Sequence, residues 1–126
     1  MFVKCDSDNI VYVKIDNDIE YITKFENNIK IYKKNGDVFK HYIEDSVYQN
    51  LIQKIDNDFI NFIKLDNCIL NLNNIVMMNI NKSDLSIEIG IKIHEKHYNS
   101  KERYSDELKM QVDLVKLTNY LDKDVI

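Results

Sequence analysis

Apolar residues recur along this chain with two periods, and the change from one to the other marks out its elements. Val11-Tyr12-Val13-Lys14 and Ile29-Lys30-Ile31-Tyr32-Lys33 alternate apolar with polar, the pattern of a half-buried pleat. Asp16-Asn17-Asp18 and Asn27-Asn28 supply turns, because Asn and Asp tolerate left-handed backbone and bond to their own main chain. Asn35-Gly36 is the strongest hairpin signal in the chain. The pattern predicts an antiparallel meander of strands over 2–5, 10–15, 19–25, 29–34 and 38–43.

The period then lengthens. Ser46-Val47-Tyr48-Gln49 reads as a capping box behind Glu44 and Asp45, and Val47, Leu51, Ile52 and Ile55 follow at helical spacing. That predicts a short helix, laid by its apolar stripe on the sheet and ending near Asp56-Asn57-Asp58. From Phe59 the order begins again. Phe62-Ile63-Lys64 answers Phe2-Val3-Lys4, Ile69-Leu70-Asn71-Leu72 answers Ile10-Val11-Tyr12-Val13, and Asn74-Ile75-Val76-Met77-Met78 answers Asp18-Ile19-Glu20-Tyr21-Ile22. Ile87, Ile89, Ile91 and Ile93 alternate strictly with Glu88, Gly90, Lys92 and His94, so a long strand with one buried face is expected. Ser105-Asp106-Glu107 caps a second helix with Met110, Leu114, Leu117 and Leu121 on one stripe.

The expected fold is therefore α+β, with antiparallel β-meanders each followed by a helix. The two pseudo-repeats, about 1–58 and about 59–126, each bury too little surface to stand alone, so they are expected to share one core. At 126 residues the chain suits a single compact domain.

Composition narrows the class. With 30% charged and 44% hydrophobic residues the chain is neither a disordered tail nor a membrane protein. The uncharged run between Asp66 and Lys82 is interrupted by Asn71, Asn73, Asn74, Asn79 and Asn81, which excludes a spanning helix. Lys4 and Asp6 stand where a signal peptide needs an apolar core, so a cytoplasmic location is expected. The absence of Pro, Trp and Ala beside abundant Asn, Ile, Lys and Asp suggests low-GC coding in a bacterium or its mobile elements. Net charge is −4, and residues 1–60 carry 8 Lys against 11 acids while residues 61–126 carry 9 Lys plus Arg against 10 acids. That balance argues against a binder of duplex nucleic acid, which usually shows a basic excess.

"FIKLDNCILNLNNIVMMNI" and "FVKCDSDNIVYV…DIEYI…NNIKIYKKNGDVF…EDSVYQNLIQKI" resemble the small FlbD-type and FlbD-like proteins of low-GC bacteria and phages. Used twice, the likeness covers most of the chain, and it implies a β-meander with a C-terminal helix and no enzymatic activity. "DIEYITKFENNIKIYKKNG", "FKHYIEDSVYQNLIQKIDNDFINFIK" and "ILNLNNIV" are similar, used once, to the LytTR-type DNA-binding domain. That family carries a basic stretch where this chain has Leu65, Asp66 and Asn67, an acid in place of a base. The doubled meander-plus-helix also resembles Pur-type and Whirly-type single-strand binders in outline.

The residue types that carry chemistry point mostly to structure. Cys5 and Cys68 lack CxxC spacing, so neither a disulfide framework nor a zinc knuckle is expected. His94 and His97 would face opposite sides of a strand and have no third ligand by spacing. The Asp/Asn clusters lack the glycine and later glutamate of a calcium loop. Cys5 or Cys68 with His41 makes a Cys–His pair only on paper, and Gly36 and Gly90 stand alone, so neither catalytic site nor cofactor is expected.

If Val11, Val13, Ile29 and Ile31 point inward, Tyr12, Lys14, Lys30, Tyr32 and Lys34 share an outward face, with Lys40 on the next strand. Bases stack on such aromatics while lysines meet phosphate, and the same residues suit a protein interface. The leading expectation is a small acidic non-enzymatic regulator or inhibitor, phage or mobile-element encoded and of anti-defence type. It would dock a sheet face or edge onto a protein partner and could form a homodimer. The second is a single-stranded nucleic-acid binder using Tyr12, Lys14, Lys30, Tyr32, Lys34 and Lys40.

Overall fold

A computed structural model of the chain describes residues 1–5 and 9–126; the connection 6–8, which includes Asp6, lies outside the described residues. Alternation becomes strand in β1 (Phe2–Cys5), β2 (Val11–Lys14), β3 (Ile19–Phe25), β4 (Asn28–Lys33) and β5 (Val38–Tyr42), and α1 (Asp45–Asp58) follows. The second half runs β6 (Phe62–Lys64), β7 (Cys68–Asn71), β8 (Ile75–Asn81), β9 (Ser86–Ile93), β10 (Lys96–Arg103) and α2 (Glu107–Leu121). Single 3-10 turns cover Leu72–Asn74 and Asp122–Asp124. The architecture is α+β with antiparallel pairing throughout, as the periodicity predicts.

Among the described residues the strands form three sheets. β1 and β2 make a hairpin, β5-β4-β3-β7-β6 make a five-stranded sheet, and β10-β9-β8 make a three-stranded one. One core lies between the first face of the five-stranded sheet and the layer of α1 and the β1–β2 hairpin: Ile22, Ile29, Ile31 and Ile69 meet Val13, Leu51, Ile52 and Ile55. The second core lies on the opposite face, where Tyr21, Leu70 and Cys68 meet Ile87, Ile89 and Ile91 of β9, with Met110 and Leu117 of α2 at its margin. The central sheet is thus covered on both sides at β3 and β7. That is why Cys68-Ile69-Leu70 are buried in succession instead of alternating. Each buried isoleucine contributes about 1.5–3 kcal/mol by leaving water, and both cores are built largely from them.

Both halves run in the order hairpin, three-stranded meander, helix, and two local features occur in each. Ile15 N–H donates to Met1 O at 2.9 Å beyond the first hairpin, as Leu72 N–H does to Asn61 O at 2.7 Å beyond the second. The β3–β4 register slips between Ile19 and Tyr21, and the β8–β9 register slips between Ile75 and Met77, so a bulge falls at the second residue of the leading strand in both meanders.

Three details differ from the sequence reading. Phe62 pairs with Asn71, whereas Phe2 pairs with Lys14, so Asn71 is the counterpart of Lys14 and not of Tyr12. The tight turn that closes β6–β7, with Leu65 N–H on Cys68 O, is shorter than the connection from β1 to β2. The capping box at Ser46 does not form: α1 begins at Asp45, and its N-cap Glu44 makes no side-chain cap bond. In α2, by contrast, Asp106 accepts from Lys109 N–H as read. Finally, β10 follows β9 after the turn at His94-Glu95. Its inward positions Tyr98, Ser100 and Glu102 are polar, so no apolar alternation announced it.

Candidate binding face

The register of β3, β4 and β5 determines which side chains share the second face of the central sheet. Tyr21, Tyr32 and Val38 form one row, Thr23, Lys30 and Lys40 the next, and Phe25, Asn28 and Tyr42 the last. β10 covers the first row, and in the second it reaches Cys68, opposite Thr23, but leaves Lys30 and Lys40 exposed. The rings of Tyr21 and Tyr32 lie 5.0 Å apart between centroids, and Tyr98 of β10 meets Tyr32 edge-on at 4.8 Å. Burial raises the pKa of Tyr32, and of Tyr21 still more, as expected for phenols held in an apolar layer.

Elsewhere the other two rows stay open. Phe25 is 77% exposed and Tyr42 41%, and Tyr42 Oη accepts from Asn27 Nδ2 at 3.2 Å. Between these aromatics and the Tyr32 row, Lys30 and Lys40 stand directly opposite one another, both exposed. Like charges across a strand pair repel, and neither lysine enters any of the ion pairs among the described residues. The result is a cationic spot flanked by exposed aromatics on a rigid sheet.

The residues singled out from the sequence therefore separate into groups. Tyr12 and Lys14 lie on the outward face of the β1–β2 hairpin, whose inward Val13 joins the first core, so they sit on the far side of the molecule from Lys30. The grouping of Tyr12 and Lys14 with Lys30 and Tyr32 on one sheet face does not form, because β2 pairs with β1 alone. Tyr32 points as expected but is occupied by Tyr21 and Tyr98. Lys34 lies past the end of β4 beside the turn at His94, at the opposite end of the strand from Lys30. Lys30 and Lys40 are the two brought together. Phe25 and Tyr42 were missed. They sit at strand ends next to turns, and only the pairing register carries them onto the same face.

The other candidate groups are apart. His94 occupies the first position of a two-residue turn at φ 57° while His97 points outward from β10. Among the described residues no three His, Cys, Asp or Glu converge as metal ligands. Cys68 is buried, near the hydroxyl of Ser100 at 3.6 Å, and burial pushes its thiol up to about 12, the opposite of an activated nucleophile. The single arginine, Arg103, lines an open cleft of about 450 Å³ with Lys64, Lys109 and Lys116, but Asp66 and Asp113 share it and Asp113 accepts from Tyr104 Oη at 2.8 Å. No helix among the described residues is long and apolar enough to cross a membrane. No protein-family model, curated protein or solved structure matches the chain.

Proposed function

We propose that this protein is a non-enzymatic docking module, a small cytoplasmic regulator or inhibitor, that binds an acidic surface on a protein partner through the open rows of its central sheet. Phe25 and Tyr42 serve as aromatic anchors, and Lys30 and Lys40 supply the charge. The observation that carries this reading is the Lys30–Lys40 pair. Two exposed cations held opposite each other destabilise the free protein, and an anionic group seated between them removes the repulsion. Exposed aromatics beside that pair are the residues that dominate interface energies once desolvated. The small size and narrow residue alphabet agree with a mobile-element or phage product, and the matching halves support descent from one doubled unit.

The test is capture from the native host with wild-type protein and with Phe25→Ala and Lys30→Glu/Lys40→Glu. A single acidic partner retained by the wild type and lost with both variants is expected, followed by direct titration of the purified partner. A partner held equally by all three proteins removes this face as the docking site.

The same arrangement favours a second reading, binding of single-stranded nucleic acid by stacking on Phe25 and Tyr42 with phosphate at Lys30 and Lys40. Fluorescence anisotropy with labelled single-stranded and duplex oligonucleotides, at low and physiological salt, separates the two. Tight single-strand binding that survives physiological salt and is lost in Phe25→Ala replaces the protein-docking reading. Duplex preference would instead favour a LytTR-like role.

A further inference from the structure

Among the described residues, every open sheet edge but one is guarded by charge or by shortness. β5 carries Lys40 and His41 along its edge, and β10 carries Lys96, His97, Lys101 and Arg103. The hairpin strands carry Lys4 and Lys14, and β6 is three residues long and includes Lys64. Such residues keep unpaired backbone N–H and C=O groups from recruiting another strand. β8 has none of them. Its sequence is IVMMNIN, it closes the β10-β9-β8 sheet as an unpaired edge, and Val76 and Met77 are 58% and 48% exposed. Strong strand formers without charge or proline are the composition that pairs.

The corresponding edge in the first half is closed. β3 bears its bulge at the same place relative to β4, and on its other side it pairs with β7 through Tyr21–Leu70, Ile22–Ile69 and Thr23–Cys68. β8, which stands to β9 as β3 stands to β4, has no strand in that position among the described residues. The β1–β2 hairpin, counterpart of the β6–β7 hairpin that covers β3, packs on the first core instead.

We infer that the occupant of this edge is β8 of a second copy of the chain, paired antiparallel across a two-fold axis so that two three-stranded sheets become continuous. An isologous pairing sets β8 against itself, so the composition must tolerate its own image. On a chain of net charge −4, β8 lies within the uncharged run between Asp66 and Lys82, and no like charges meet there. At the other long edges, β5 and β10, self-pairing brings lysines towards lysines. Asn79, exposed on the outward side, meets its own counterpart with both a donor and an acceptor, while half-buried Met78 and Ile80 meet as apolar partners on the core side. One strand pair is a small interface, so association is expected at micromolar and higher concentrations.

Light scattering coupled to size exclusion, with sedimentation velocity from low micromolar to near-millimolar protein, reads the state directly. The expected result is a mass rising from 15.0 kDa towards twice that value, with β8 amides gaining hydrogen-exchange protection as concentration rises. Asn79→Lys and Val76→Lys place charge on exposed positions of the edge and are expected to return the protein to monomer, with the melting temperature that the wild type shows at concentrations where it is monomeric. Asn99→Lys, exposed on β10, is expected to leave the dimer intact. A monomer at every concentration overturns the inference, and so does a dimer that survives both β8 variants. Neither result touches the Lys30–Lys40 face, which belongs to a different sheet.

Discussion

The carboxylate of Glu102, fully buried on β10, accepts from both the backbone N–H of Asn67 at 3.3 Å and its side-chain Nδ2 at 3.2 Å, joining residues separated by 35 positions. Through it the three-stranded sheet holds the tight turn between β6 and β7 on the central sheet. Burial raises the pKa of Glu102 above its ordinary 4.5, against the lowering effect of the Asn67 N–H, and Asp66 adds to the rise.

The sign of the resulting pH dependence follows. The folded state holds the Glu102 proton more tightly than the unfolded state does, so this group's contribution to stability is complete below pH 4.5 and is lost as pH rises through the elevated folded value. Urea unfolding from acid to neutral pH is expected to show wild type losing stability relative to Glu102→Gln over that window. A difference between the two proteins that stays constant with pH would sink the assignment.

The Lys30–Lys40 pair separates stability from binding. Lys30→Glu converts a cross-strand repulsion into an attraction, so the folded protein is expected to gain about 0.2–1 kcal/mol by chemical denaturation. The same variant is expected to lose the acidic partner. Loss of both stability and binding would mean that Lys30 is held by something other than Lys40.

Gly36, in the β4–β5 turn at φ 95°, lies against the imidazole of His94 in the equivalent turn of the second half. A Cβ on Gly36 would stand 3.3 Å from His94 Cδ2. Gly36→Ala is expected to cost about 1–2 kcal/mol, chiefly from the left-handed backbone. His94→Ala, made in the Gly36→Ala background, should recover only the smaller steric part. Full recovery in the melting temperature would show that contact, not φ, sets the cost.

Cys68 is expected to resist alkylation in the folded protein. Its thiol is buried and protonated at neutral pH, and the thiolate is the reactive form. Iodoacetamide labelling followed by peptide mass mapping should report modification of Cys68 only at the rate of unfolding. Rapid labelling in native buffer would place the site in a mobile part of the molecule.

Strand periods, turn residues and the cap at Asp106 are local properties. They were legible in the sequence because each depends on neighbours a few positions away: among the described residues, nine of the ten strands and both helices lie where alternation, helical spacing or the match to the first half places them. β10 was not legible, since its inward side chains are polar, and two of them, Glu102 and Ser100, are satisfied by Asn67 of the β6–β7 turn and Cys68 of β7. The candidate face was half legible. Lys30 and Lys40 follow from strand alternation, but whether Tyr32 is free or covered, whether Tyr12 joins it, and whether Phe25 and Tyr42 complete it depend on sheet order. Sequence by itself determined the α+β class and the place of every element but β10 among the described residues. Only the tertiary structure decided that β3 pairs with β7, that β2 stands apart and that β8 is left open. Backbone hydrogen bonds between strands carry no sequence code of their own, and their choice of partner is settled by which apolar faces can be buried together.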